Sequence, residues 1–235
     1  MTRSESSIAE QARVDPDSRE RHREHYTTTT ALIREMLELQ ESINRQISPD
    51  WRTQRYPWYR AIWIECAELM EHHGWKWWKQ QTSDLEQIHL ELIDIWHFGL
   101  SDCLQTTDAS MDLIADSLYR GIFNNSVAPT QDLISTTEDF ARDCLQLKRF
   151  ATAGFAQLLQ VAQLDFQVLV KLYIGKNVLN SFRQDNGYKQ GSYRKIWLGQ
   201  EDNEHLIQIL NETDTLDIRL AREIYKALAE RYDQG

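Results

Sequence analysis

Four carboxylates stand inside two of the most apolar segments of this chain. Glu65 and Glu68 lie in AIWIECAELM (61–70), and Glu91 and Asp94 in LELIDIWHFGL (90–100). Residues three apart share a helical face, so each segment reads as a helix with one acidic stripe on an otherwise apolar cylinder. A helix that is apolar nearly all round is a buried helix. With 36 Asp and Glu among 235 residues, pairs at this spacing also arise by chance, and the apolar setting is what singles these out.

Facing stripes of this kind would repel and resist desolvation, raising their pKa values or drawing a cation between them. All-oxygen donors favour Mg²⁺, with Mn²⁺ as a possible substitute, and disfavour zinc. The alternative, acids solvated or paired structurally with Lys and Arg from neighbouring helices, stays open on spacing alone. A ferritin-like di-iron site needs a Glu-x-x-His motif on two helices. Here only Asp94 with His97 approaches that pattern, which sets it aside; His72 and His73 suit a helix C-terminus.

The chain around the stripes is long enough for a sizeable core in one large domain. Nine Gly and four Pro and long stretches of period 3.6 predict an all-α helical bundle. Helices are expected over 31–47, 57–73 (ending at Gly74), 84–105, 108–120, 131–149, 154–174, 176–184, 201–211 and 215–233. The Thr run 27–30 supplies N-cap hydroxyls for the first of them. Residues 1–26 read as a flexible polar lead before a single catalytic domain over 27–235.

The lead lacks the apolar region of a signal peptide, and no window holds 18 apolar residues in a row, so neither export nor membrane insertion is expected. The three scattered cysteines, Cys66, Cys103 and Cys144, suit reduced thiols in a cytoplasmic protein. The net charge of -10 argues against a nucleic-acid or membrane-surface partner, which would call for a cationic face.

One segment reverses that charge. KNVLNSFRQDNGYKQGSYRKIWLG (176–199) carries Lys176, Arg183, Lys189, Arg194 and Lys195 against the single acid Asp185. Lys176, Asn180 and Arg183 share a helical face, and Gly187 and Gly191 make a loop presenting Tyr188, Lys189, Tyr193 and Lys195. Such donors suit a polyphosphate; single-stranded nucleic acid or a plain surface loop would use the same residues. Together, a four-acid metal site and a cationic loop would grip a metal-bound nucleoside triphosphate from both sides.

The motifs ECAELMEHHGWKWWK (65–79), ELIDIWHFGLS (91–101) and KNVLNSFRQDNGYKQGSYRKIWLGQEDN (176–203), with LQESIN (39–44), closely resemble the dimeric all-α dUTPases, relatives of the MazG-type pyrophosphohydrolases. The resemblance spans roughly residues 31–211. It implies a helical homodimer that hydrolyses dUTP to dUMP and diphosphate and also accepts dUDP, limiting uracil in DNA and supplying dUMP for dTTP synthesis. By the same resemblance Glu65, Glu68, Glu91 and Asp94 ligate Mg²⁺, and Glu65 or Glu68 orients the attacking water. Gln40 and Asn44 would read the uracil edge, Trp75 and Phe98 would sandwich the base and deoxyribose, and His97 would support the sugar pocket. Lys176, Asn180, Arg183, Tyr188, Lys189 and Lys195 would hold the phosphates. Trp63, Trp96 and Trp78 would pack the core, and Trp77 and Trp78 brace the elbow. Base selectivity varies in the superfamily, which leaves dCTP or another deoxynucleotide as the alternative substrate.

Overall fold

A computed structural model describes residues 16–124, 132–213 and 220–234. Among the described residues there are ten helices and one two-stranded hairpin: α1 (Pro16–Ile47), α2 (Trp51–Gln54), α3 (Trp58–His73), α4 (Leu85–Thr106), α5 (Met111–Phe123), α6 (Leu133–Leu147), α7 (Thr152–Val161), α8 (Phe166–Asp185), β1 (Ile196–Trp197), β2 (Gln200–Glu201), α9 (Asp202–Glu212) and α10 (Leu220–Gln234). The hairpin is antiparallel and turns on Leu198 and Gly199, both with positive φ, the backbone of a tight two-residue turn. The architecture is all-α.

Helix α4 is the axis of the bundle. The Asp84 side chain caps it by accepting from the Gln87 N–H, and Leu90, Leu92, Ile93, Ile95, Trp96, Leu100 and Leu104 are fully buried around its circumference. It touches α1, α3, α5 and α8. Trp96 stacks on Phe155 with ring centroids 5.3 Å apart, so one tryptophan of the motif does pack the core.

Helix α3 departs from expectation. It packs on α4 and α6, burying Ile62, Cys66 and Leu69 and exposing the opposite face, with Trp63 40% and Ile64 55% exposed. The apolar cylinder is therefore at the rim of the bundle, and Trp63 is not a core residue. Gly74 ends α3 in the left-handed conformation at φ 81, where a non-glycine residue would be strained. The segment after it holds Trp77 and Trp78 at the surface.

Two element boundaries also differ. α1 already begins at Pro16, so residues 16–26 of the expected lead are helical, and the Thr run lies inside the helix with Thr30 Oγ1 donating to the Tyr26 carbonyl. Tyr26 anchors this extension by donating to Asp116 of α5 at 2.8 Å, and residues 1–15 lie outside the described residues. The break expected at 175 falls at 162–165, where Asp165 caps α8. α8 runs unbroken through Gly175 because Leu206 and Leu210 of α9 press against that position, where a Cβ would meet Leu210 at 2.9 Å.

Candidate active site

The acidic end is built by α3 and α4. Glu65, Glu91 and Asp94 each bring a carboxylate oxygen to within 4.8 Å of the others. Burial, followed by the charges of Asp94, Glu91 and Glu68, pushes the Glu65 carboxyl up to about 9, and burial with Asp94 pushes Glu91 up to about 7. The contact between the two glutamates favours the proton on Glu65 over Glu91, and the Lys176 charge draws Glu91 back down. Among the described residues this is the group able to hold a metal ion, and three hard oxygen donors whose charges repel suit a divalent cation such as Mg²⁺. Glu68 is not part of the tight trio. It is exposed one turn along α3, yet near enough for its charge to act on both glutamates. His72 Nε2, in the last turn of α3, lies 3.3 Å from Glu91.

Beside this group runs an ionic ladder set by α8. Lys176, with its side chain 3% exposed, places Nζ 2.8 Å from Asp94 and 3.0 Å from Asn203 Oδ1. Two turns further along the same face, Arg183 donates through Nε and Nη2 to both oxygens of Asp202 at 2.8 and 2.9 Å, and through Nη1 to Asn180. Asp202 is fully buried and also accepts from the Tyr193 hydroxyl. Burial alone would raise its pKa, and Arg183 outweighs that and holds it below the usual carboxylate range. Tyr173, Lys176, Asn180 and Arg183 thus form one stripe along a single uninterrupted helix.

The other end is neutral. Gln40 and Asn44 of α1 are buried against α4, where Gln40 Nε2 donates to Asn44 Oδ1 (3.1 Å) and to Ser101 Oγ (3.0 Å), and Asn44 Nδ2 donates to Ser101 Oγ (2.9 Å). Gln40 Oε1 lies 2.7 Å from His97 Nδ1 and 3.1 Å from the Tyr173 hydroxyl. His97 stacks on Tyr173 at 4.3 Å. Burial pushes its pKa down to about 4, so the ring is neutral near pH 7.

A cavity of about 290 Å³ runs from the amide end to Asp94, the member of the acidic group that lines it; Glu65, Glu68, Glu91 and Lys176 lie outside its lining. Its lining includes Gln40, Asn44, Asp94, His97, Phe98, Asn180, Arg183 and Tyr188, eight expected site residues from three separate motifs, together with Trp51, Tyr56 and Trp58. Trp75 is not among them. It sits 43% exposed in the segment after α3, edge-on to Trp78, and Trp58 is instead the tryptophan beside Phe98, with centroids 6.0 Å apart and planes 26° from parallel. Lys189 Nζ caps the Ile47 carbonyl at the pocket rim. Lys195 points away, 3.3 Å from Glu201 with both side chains more than half exposed.

Sequence reasoning passed over Ser101, Tyr173, Trp58, Asp202 and Asn203. Ser101 had a signal, since it follows Asp94 and His97 on one face of α4 at helical spacing.

In a comparison with protein families, residues 32–188 match the dUTPase family. The chain belongs to this family. Against individual curated proteins it has no match. The dUTPase is a hydrolase of nucleoside triphosphates, a dUTP diphosphatase, as the resemblance implied. The match takes in both glutamate motifs, the amide pair and the stripe of α8, and ends at Tyr188, before Lys189, Lys195 and Asp202. No helix among the described residues is long and apolar enough to cross a membrane.

Proposed function

We propose that this dUTPase hydrolyses dUTP to dUMP and diphosphate, and dUDP to dUMP, with Mg²⁺ at the acidic end of the cavity and the uracil at the amide end. The observation that carries the reading is the cavity itself, which runs from Asp94 to Asn44. Glu65, Glu91 and Asp94 would hold the metal, with Glu68 reaching it from the solvent side. When bound, the ion offsets the charge of the phosphates and lowers the pKa of a water. Glu65 or Glu68 orients the water that attacks, since both carboxylates face the acidic end from α3.

Lys176, Asn180, Arg183 and Tyr188 would hold the phosphates, with Lys189 at the rim and Lys195 joining only if its segment moves. Asn44 would meet the base edge, Phe98 with Trp58 its apolar face, and His97 the sugar. Residues 27–235 act as one catalytic domain, with 16–26 as an extension of its first helix.

The enzyme works as a homodimer on this reading. The support is the face of α3 bearing Trp63, Ile64 and Ala67, which is apolar and exposed and is followed in sequence by exposed Trp77 and Trp78. Sedimentation of the wild type beside Ile64→Arg tests this, a monomeric wild type counting against it.

Incubation with each deoxynucleoside triphosphate and Mg²⁺, with and without EDTA, tests the rest. Preferential release of dUMP and diphosphate from dUTP, abolished by EDTA, is expected. Turnover that persists in EDTA, or equal turnover of dCTP, would overturn the metal or the base assignment respectively.

A further inference from the structure

Gln40 is held by protein partners at both ends of its amide. A glutamine amide offers two N–H donors and two carbonyl lone pairs. Here both donors go to Asn44 Oδ1 and Ser101 Oγ, and the carbonyl faces His97 Nδ1 at 2.7 Å, with the Tyr173 hydroxyl at 3.1 Å sharing its one proton with the Met36 carbonyl 2.8 Å away. Asn44 is only half used, with one N–H on Ser101 and one lone pair taken by Gln40.

The polarity of this network follows from one proton. Ser101 is fully buried, and its hydroxyl donates to the His97 carbonyl one turn back at 2.9 Å. With that proton committed, Ser101 Oγ can only accept from the two amides, so both must turn their nitrogens toward it. The Gln40 carbonyl then has to face His97, which obliges the imidazole to carry its proton on Nδ1. His97 Nε2 is left as a bare acceptor, and it is buried and without a partner among the described residues. What remains without a partner is fixed in order: one N–H and one carbonyl lone pair on Asn44, which lines the cavity, and one buried lone pair on His97.

We propose that Ser101 is the positioning residue that sets the hydrogen-bond polarity of the base-reading end, with Asn44 as the amide that contacts the base and Gln40 as its support. A uracil edge supplies a carbonyl acceptor for the Asn44 N–H and an N3–H donor for its carbonyl. A cytosine edge puts an acceptor at N3 and meets the same pair only after sliding by one ring position. If the amides were free to flip, both bases would be read equally well. The inference rests on the placement of the base at this end, and its tests separate the two ideas.

The first test is nitrogen NMR of the wild-type protein, which reports the His97 tautomer without substrate. The Nδ1–H form is expected at pH 7, and an Nε2–H ring would overturn the polarity argument whatever the enzyme hydrolyses. The second compares Ser101→Ala with wild type for kcat/KM on dUTP and dCTP, together with the His97 signal. Loss of the shared acceptor frees both amides, so the dUTP:dCTP ratio should fall by about tenfold, the worth of roughly one hydrogen bond, and the Nε2–H tautomer should appear. A variant that only lowers Tm and slows both substrates alike would reduce Ser101 to a structural role and sink the proposal. A wild type with the Nδ1–H ring but no preference between dUMP and dCMP in calorimetry would instead remove the base from this end, failing the parent reading.

Discussion

The two ends of the cavity are made by the same helices in opposite ways. At the acidic end, Glu65, Glu91 and Asp94 crowd like charges that only a proton, Lys176 or a cation can relieve. At the amide end every polar atom of Gln40 has a partner, and the group is neutral throughout. The first end is unfavourable until something binds, and the second is finished beforehand. Affinity for a charged group and discrimination between bases are thus kept in separate places.

The sharpest way to break the contrast is to neutralise one member of the acidic group. Glu91→Gln should lower kcat/KM for dUTP by at least about a thousandfold, while Mg²⁺ no longer raises Tm. Asp94→Asn should lose activity equally but also destabilise the protein, because it leaves buried Lys176 with Asn203 alone. Steady-state kinetics and calorimetric melting separate the two variants.

Next in size is the ladder between the ends. Arg183→Ala leaves the fully buried Asp202 without its two-pronged partner, a loss of about 3–5 kcal/mol for a broken buried pair. Denaturant unfolding should show it. Raised KM with an unchanged melt would mean that Arg183 serves the phosphates alone.

Acidity tests the contrast more gently. A carboxyl that ionises less readily in the folded chain favours folding while it stays protonated. That advantage is full below the ordinary carboxylate range and disappears as pH rises through the folded value, about 7 for Glu91 and about 9 for Glu65. Between pH 7 and 9 the chelator-treated protein should therefore lose roughly 2 kcal/mol, seen as a Tm lower by a few degrees. Glu65→Gln should match wild type at pH 7 and exceed it at pH 9, and saturating Mg²⁺ should flatten both profiles.

The smallest effect belongs to Lys195→Ala, which removes one exposed pair with Glu201. Stability should change by less than about 0.5 kcal/mol, so any rise in KM beyond that background would show the side chain reaching substrate.

Much of this was legible in the chain itself. Glycine and aspartate punctuation marked the ends of α3 and α4, and helical spacing brought Gln40 with Asn44 and Lys176 with Arg183 onto common faces. What failed did so for tertiary reasons. Trp63 and Trp75 carry the same hydrophobicity as Trp58, and only the packing of α3 at the rim decides which of them faces the cavity. Glu68 and Glu65 are chemically alike, yet one turn of α3 separates solvent from the buried group. Gly175 looked like a break because nothing in the sequence places Leu206 and Leu210 against it.

The continuity of α8 also limits how this protein can vary. Tyr173, Lys176, Asn180 and Arg183 reach the amide network, the acidic group and Asp202 from one rigid rod, so the rod works as a gauge between base and phosphate contacts. Adding or deleting a single residue within it would turn everything beyond by about 100° and carry those later side chains away from their partners. Changes of length are therefore excluded from Tyr173 to Arg183, and fall before or after the gauge rather than within it.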